Sequence, residues 1–168
     1  QWRDQIKVWW PERADDVFIY GAADSKKRKI TSSSIVIVNY EKLLNEANLN
    51  KFRQFSWHVL IADEAHKIKN HKSKRTIALK SIPAVRKYAL TGTPILNKPD
   101  DLWSILHFLD WRYSGISYWN FVNYFCEIED GFWGRKVVGL TKLPNRLDVL
   151  RDLLDSMSVY NPLNVAQG

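Results

Sequence analysis

Apolar positions along this chain fall alternately into short continuous runs and stripes of helical period, with polar breaks between them. Residues Trp2 to Trp10 read as a short helix, with Ile6 and Trp9 or Trp10 at helical spacing, stopped by Pro11. Val17-Phe18-Ile19-Tyr20 is a compact apolar run ended by Gly21, which predicts a strand, and residues 21 to 34 are polar and basic, which predicts a loop. Ile35-Val36-Ile37-Val38 is a second strand, β-branched and apolar on both faces, as in a sheet covered by helices on both sides. Tyr40 to Phe55 has an amphipathic helical pattern, with Leu44, Ala47, Phe52 and Phe55 along one side. Trp57 to Ala62 predicts a third strand, which runs straight into Asp63-Glu64. Ser73 to Ile82 predicts a helix, and Arg86 to Leu90 a fourth strand that ends at Thr91-Gly92-Thr93-Pro94. In the helix from Pro99 to Leu109, Leu102, Ile105, Leu106 and Leu109 follow the i, i+3, i+4, i+7 pattern, with Pro at the first position.

Strands alternating with helices are the pattern of parallel pairing through helical crossovers, so the fold class expected is α/β, a parallel sheet with helices on both faces. The texture changes after Asp110. Residues 111 to 142 are rich in aromatic residues and Gly, and predict a short helix followed by a hairpin. Leu143, Leu147, Leu150, Leu154 and Met157 then mark a final helix. The expected division is a lobe over residues 1–110 and a mainly helical, aromatic-rich extension over 111–168. No internal repeat is visible.

At 168 residues, 45% hydrophobic and 26% charged, the chain is long enough for one ordinary domain and can build a core. It contains no apolar run of about 18 residues, which excludes a membrane-spanning helix. One cysteine, Cys126, excludes a disulfide framework and any site needing two Cys ligands, and fits an intracellular setting. The polar start at Gln1 resembles neither a signal peptide nor a natural beginning. The net charge of +7 points to a polyanionic partner, and it is concentrated. Between Glu64 and Asp100 there are nine bases and no acid, so this segment exceeds the whole excess and the remainder is slightly acidic. A solvated face would explain such a run equally well.

In an open parallel sheet, ligands collect beyond the carboxyl ends of the strands. Two such ends carry unusual residues here: Asp63-Glu64-Ala65-His66 and Thr91-Gly92-Thr93-Pro94. Adjacent carboxylates at a buried strand's end are costly without a counter-charge, which points to a cation. Asp63 would hold Mg²⁺, and Glu64 would orient and deprotonate a water attacking a phosphoanhydride. The plainer alternative is that both carboxylates cap the helix that follows.

The string Val59 to His66 followed by Leu90 to Asn97 resembles the Swi/Snf family of helicase-like ATPases, members of superfamily two built on paired RecA-like lobes. Asp63 to His66 matches the family's DEAH form of the Walker B motif, Leu90 to Pro94 matches its motif III, and Asn97 stands where the family often has Asn. Trp2 to Ile6, Val38 to Glu41, Lys69-Asn70 and Asp101 to Leu109 match in the same order, over roughly residues 1 to 126. The resemblance implies a parent protein that binds ATP and Mg²⁺, with Glu64 as catalytic base and Asp63 as Mg²⁺ ligand. His66, Thr91, Gly92 and Thr93 would couple the nucleotide state to the DNA track. Asn39, Tyr40, Lys69 and Asn70 would lie near the backbone of the DNA, expected to be duplex. A second RecA-like lobe of the same parent would complete the motor.

The chain departs from the family in two places. No Gly is followed by Lys, so the phosphate-binding loop G-x-x-x-x-G-K-[ST] is absent and Walker A has no match. The expectation is therefore part of a first lobe, inactive alone. Where the family commonly shows an Arg pair and a Lys after the last helix, this chain has Ser158-Val159-Tyr160-Asn161-Pro162. The competing reading is a non-catalytic basic α/β module that docks DNA or a protein, and sequence does not separate strand separation from translocation. The four histidines lack H-E-x-x-H spacing, which argues against zinc. Cys126, expected within an aromatic helix, reads as core, and the aromatic residues from 111 to 133 read as the small core of an insertion.

Overall fold

The computed structural model describes residues 1–22, 28–92, 99–109, 116–132 and 134–157. In chain order the elements are α1 (Trp2–Trp9), β1 (Val17–Ile19), β2 (Ile35–Ile37), α2 (Glu46–Arg53), β3 (Trp57–Ala62), α3 (Lys74–Lys80), β4 (Ala84–Ala89), α4 (Asp100–Leu109), α5 (Tyr118–Phe125), β5 (Cys126–Gly131), β6 (Gly134–Leu140) and α6 (Pro144–Met157). Single 3₁₀ stretches occupy Pro11–Asp16, Tyr40–Leu44 and Ala65–Ile68. The chain forms two compact units: Gln1–Leu60 with His71–Arg86, and Ile61–Asn70 with the chain from Lys87 on.

In the first unit β1 and β2 pair in parallel, Val17 opposite Ile35 and Ile19 opposite Ile37. Val17, Phe18, Leu43, Leu49, Phe52, Leu79 and Ile82 are buried, and each such side chain contributes about 1.5–3 kcal/mol of transfer free energy. The stripe expected as one helix from Tyr40 to Phe55 is instead a 3₁₀ turn followed by α2. Asn45 breaks it: its backbone is extended (φ −83°, ψ 120°) and its side chain accepts the Asn48 N–H, so it caps α2 rather than continuing a helix. Phe52 ties α2 to its surroundings, edge-on to Tyr20 at 4.9 Å and stacked on Trp57 at 5.8 Å. Trp57 Nε1 donates to the Phe52 carbonyl at 2.8 Å. Ser73 is the N-cap of α3, its Oγ accepting the Thr76 N–H, so this helix begins one residue later than the pattern predicts.

β3 and β4 form a second two-stranded pair. The Trp57 N–H bonds the Pro83 carbonyl at one end and the Leu90 N–H bonds the Ala62 carbonyl at the other. The starts of the strands therefore meet and so do their ends, which makes the pair parallel. Ala62 is buried, but Val59 and Ile61 on β3 and Val85 on β4 are exposed, so these apolar strands are not covered on both faces among the described residues.

The second unit carries a core of Leu102, Leu106, Phe121, Val122, Phe125, Cys126 and Leu150, with Trp103, Tyr118, Val137 and Leu140 packed against it. Part of the aromatic segment is therefore core, while Trp119, Tyr124 and Phe132 stay exposed. The hairpin pairs β5 with β6 antiparallel, Cys126 opposite Leu140. Cys126 is the first residue of β5, not part of a helix, because α5 ends at Phe125 and the backbone turns extended at Cys126 (φ −120°, ψ 154°). Pro99 precedes α4 rather than opening it.

Candidate active site

Everything distinctive about the end of β3 follows from how the backbone leaves the strand. After Ala62 the chain turns sharply through Asp63 and Glu64 into the 3₁₀ turn Ala65–Ile68. Glu64 sits in the left-handed region (φ 51°, ψ 53°), the single non-Gly residue with positive φ among those described. A residue held there costs of order 1–3 kcal/mol and persists only where its surroundings impose it. The imposing bonds are visible. Leu90, just past β4, gives its N–H to the Ala62 carbonyl and accepts the Ala65 N–H on its own carbonyl, both at 2.8 Å. Ala62 and Ala65, on either side of the turn, are buried. This stitch places Thr91 and Gly92 directly after the residue that grips the Asp63–Glu64 turn.

The two carboxylates stand exposed at the strand end. Asp63 Oδ1 accepts the Glu64 N–H at 3.0 Å. Glu64 makes no side-chain capping bond to the turn that follows. Its Oε2 lies 3.1 Å from His66 Nδ1, a contact that is an ion pair whenever the imidazole carries its second proton. Among the described residues no group of three or more His, Cys, Asp or Glu is arranged to hold a metal ion. The described residues thus supply one or two carboxylates there and no closed cage. Such a donor set fits Mg²⁺, which keeps several waters and binds through one or two carboxylates together with substrate phosphates.

The other residues expected at the site lie apart from it along the chain. Asn39 is exposed and precedes the 3₁₀ turn Tyr40–Leu44. Tyr40 lies under the Arg75 guanidinium, 5.9 Å from its ring centre, and Arg75 is paired with Glu41 at 2.8 Å. Asn70 is exposed at the end of the turn after Ile68. Lys69 reaches down to α4, where its Nζ lies 3.2 Å from Asp101 Oδ2. Thr93 and Asn97 fall outside the described residues, as do Lys26, Lys27 and Lys98. The basic run is not one uniform solvated face: Lys69 and Arg75 are ion-paired, and Lys87 lies over the Phe108 ring at 5.5 Å. Burial lowers the Lys87 pKa below its ordinary value.

Sequence reasoning overlooked the brace beneath the turn. Ser104 is fully buried on α4, and its Oγ donates to the Ile68 carbonyl at 2.7 Å. With Lys69–Asp101 one turn earlier on α4, two polar links hold Ala65–Ile68 against that helix. The signal was available: Asp101 and Ser104 are an i, i+3 polar pair intruding into an otherwise apolar stripe.

Comparison with known proteins follows the same lines. A family model described as SNF2-related domain matches residues 1–147. The chain is 32% identical over 115 residues to the chromatin structure-remodeling complex protein SYD of Arabidopsis thaliana, covering 64% of this chain and 3% of that protein. It is 36% identical over 117 residues to the DNA repair protein RAD5A of the same plant, covering 65% of this chain and 11% of that protein. Among solved structures it matches the Sulfolobus solfataricus SWI2/SNF2 ATPase core in complex with dsDNA, with a TM-score of 0.63 and 32% identity over 74% of this chain and 25% of that one. The chain therefore spans about a tenth or less of these curated relatives and a quarter of the solved core.

Proposed function

The chain belongs to the SNF2-related domain family, and from that premise we propose that it carries the catalytic carboxylates of a DNA-dependent ATPase that translocates on duplex DNA. In this reading residues 1–110 are part of a first RecA-like lobe and 111–168 extend toward the second lobe, in an intracellular protein. The observation that carries the proposal is the pair of backbone hydrogen bonds at Leu90, which ties the Asp63–Glu64 turn to the residue just before Thr91 and Gly92.

Asp63 would hold Mg²⁺, which when bound to ATP offsets charge on the phosphates. Glu64 would take the proton of the attacking water, and its exposed carboxylate is free to approach it. His66 Nδ1, 3.1 Å from Glu64 Oε2, would steady that carboxylate and its charge. A proton arriving on Glu64 weakens this pair and frees His66, while Gly92 beyond Leu90 gives the second segment room to shift, so the two can register the state of the nucleotide together with Thr91 and Thr93. This chain holds no G-x-x-x-x-G-K-[ST] segment to cradle the phosphates, so turnover is assigned to the parent protein.

Asn39, Tyr40, Lys69 and Asn70 would lie along the DNA backbone. For Lys69 that means sharing one ammonium between Asp101 and a phosphate, for which three donors suffice. The solved SWI2/SNF2 core in complex with dsDNA supports duplex as the partner. The test is steady-state ATPase of the full natural protein with and without duplex and single-stranded DNA, beside Glu64→Gln. Stimulation by duplex that disappears in the variant is expected. A folded protein with no DNA-stimulated turnover would overturn the motor and leave a non-catalytic binding module.

A further inference from the structure

A concave site in the first unit lies outside everything assigned so far. Between the end of β1 and the outer side of α2 there is a cleft of about 650 Å³, within the roughly 300–1,000 Å³ usual for small-molecule pockets. Four cations line it, Arg28, Lys29, Lys42 and Lys51, and no carboxylate does among the described residues. Nor do Lys29, Lys42 and Lys51 form an ion pair with any described residue, whereas nearby Arg53 and Arg13 are matched with Glu46 and Asp16. Like charges facing one concavity repel one another, and an anion entering it relieves that repulsion.

The cleft is built rather than incidental. Tyr20 Oη donates to Asn48 Oδ1 at 3.0 Å and Asn48 Nδ2 donates to the Lys42 carbonyl at 3.1 Å, which locks the end of β1 to α2 and to the turn carrying Lys42. Arg28 Nη1 is pinned by the Asp15 and Val17 carbonyls at 3.0 and 3.1 Å, leaving Nε and Nη2 uncommitted among the described residues. Gly21 has φ +85°, a conformation that favours glycine, and a Cβ there would lie 3.2 Å from Lys42 Cε, so the Lys42 stem lies close against this turn. Tyr20, Ile30 and Phe55 add an apolar wall. A duplex presents its phosphates on a convex surface, whereas this concavity suits something small enough to enter. We propose that the cleft binds a small phosphate-bearing ligand, of the nucleoside or inorganic polyphosphate class, with Lys42 and Lys51 as its main charge partners.

The test titrates inorganic tripolyphosphate into the full natural protein by calorimetry, without nucleotide, so that the cleft is open to it. A tripolyphosphate site is expected whose affinity falls about tenfold or more in Lys42→Gln/Lys51→Gln. The control Lys7→Gln/Lys74→Gln removes the same charge from exposed positions of the same unit outside the cleft, and should leave the affinity within about twofold. All four positions are exposed, and unchanged circular dichroism verifies folding. Absence of binding, or equal weakening in both pairs, overturns the proposal. So does a cleft pair that lowers affinity for a DNA duplex without changing the tripolyphosphate titration, which would make the cleft a nucleic-acid contact.

Discussion

Replacing Lys69 by Ala would be the natural way to ask whether this lysine touches DNA, yet the structure predicts a different first consequence. Lys69 Nζ lies 3.2 Å from Asp101 Oδ2, the lysine side chain being 36% exposed and the aspartate 15%. Asp101 Oδ2 is sealed from solvent and has no hydrogen-bond partner among the described residues, so the ammonium is its compensation. At an effective dielectric of about 20 the direct attraction is about 5 kcal/mol, before desolvation of both ions is subtracted. Exposed pairs retain about 0.2–1 kcal/mol, and removing one partner of a buried pair costs about 3–5 kcal/mol. This half-buried pair lies between, so Lys69→Ala should loosen the Ala65–Ile68 turn by about 1–3 kcal/mol. Because about 1.4 kcal/mol is a factor of ten, hydrogen exchange in the peptide covering residues 61–70 should quicken by about fivefold to a hundredfold. Asp101→Asn removes the buried charge and should do less. The double variant should come close to Asp101→Asn, giving a coupling of 1 kcal/mol or more, again about that size. Unchanged exchange in Lys69→Ala, with coupling near zero, would refute the reasoning. In that case any loss of DNA affinity belongs to a direct phosphate contact, seen as a salt slope lowered by about one.

Three further outcomes follow from the second unit. Ser104→Ala removes the buried donor to the Ile68 carbonyl and should destabilise by about 1–3 kcal/mol, read as a lower midpoint in urea for the lobe. An unchanged midpoint would mean that another donor takes over the carbonyl. Burial pushes the Cys126 thiol up to about 12, so at pH 8 it should react with a disulfide reagent only on unfolding; rapid labelling of the native protein would contradict its place in the core. Because the folded value is raised, the unfolded chain releases this proton first, and the thiol's contribution to stability is full below pH ~8.5 and declines as pH rises toward 12. Tyr118 moves the same way, raised by burial and by its hydrogen bond to Asp100, and adds to the alkaline loss.

The order of strands and helices was legible from periodicity alone, since a β-branched run such as Ile35–Ile37 and a stripe such as Leu102, Ile105, Leu106 and Leu109 answer to local physics. Asp63-Glu64 and Thr91-Gly92 were legible as strand-end residues for the same reason. Where local signals competed, periodicity misled. Asn45 looks like one polar position in a helical stripe, but its side chain caps a new helix better than it continues the old one. Cys126 continues an aromatic run, yet pairing with Leu140 in the hairpin draws it into a strand.

What the chain determined by itself was therefore the set of elements, the carboxylate pair at a strand end and the place of its positive charge. What only the tertiary structure decided was how those residues are held and which charges are already engaged. Leu90 grips both sides of the Asp63–Glu64 turn, Ser104 and Asp101 brace it from a helix some 35 residues along the chain, and Lys69 and Arg75 are matched to carboxylates while Lys42 and Lys51 are not. A residue's charge is written in the sequence. Its partner is chosen by side chains far away in the chain, and hydrogen bonds and ion pairs act only at a few ångströms, so packing alone decides which groups come that close.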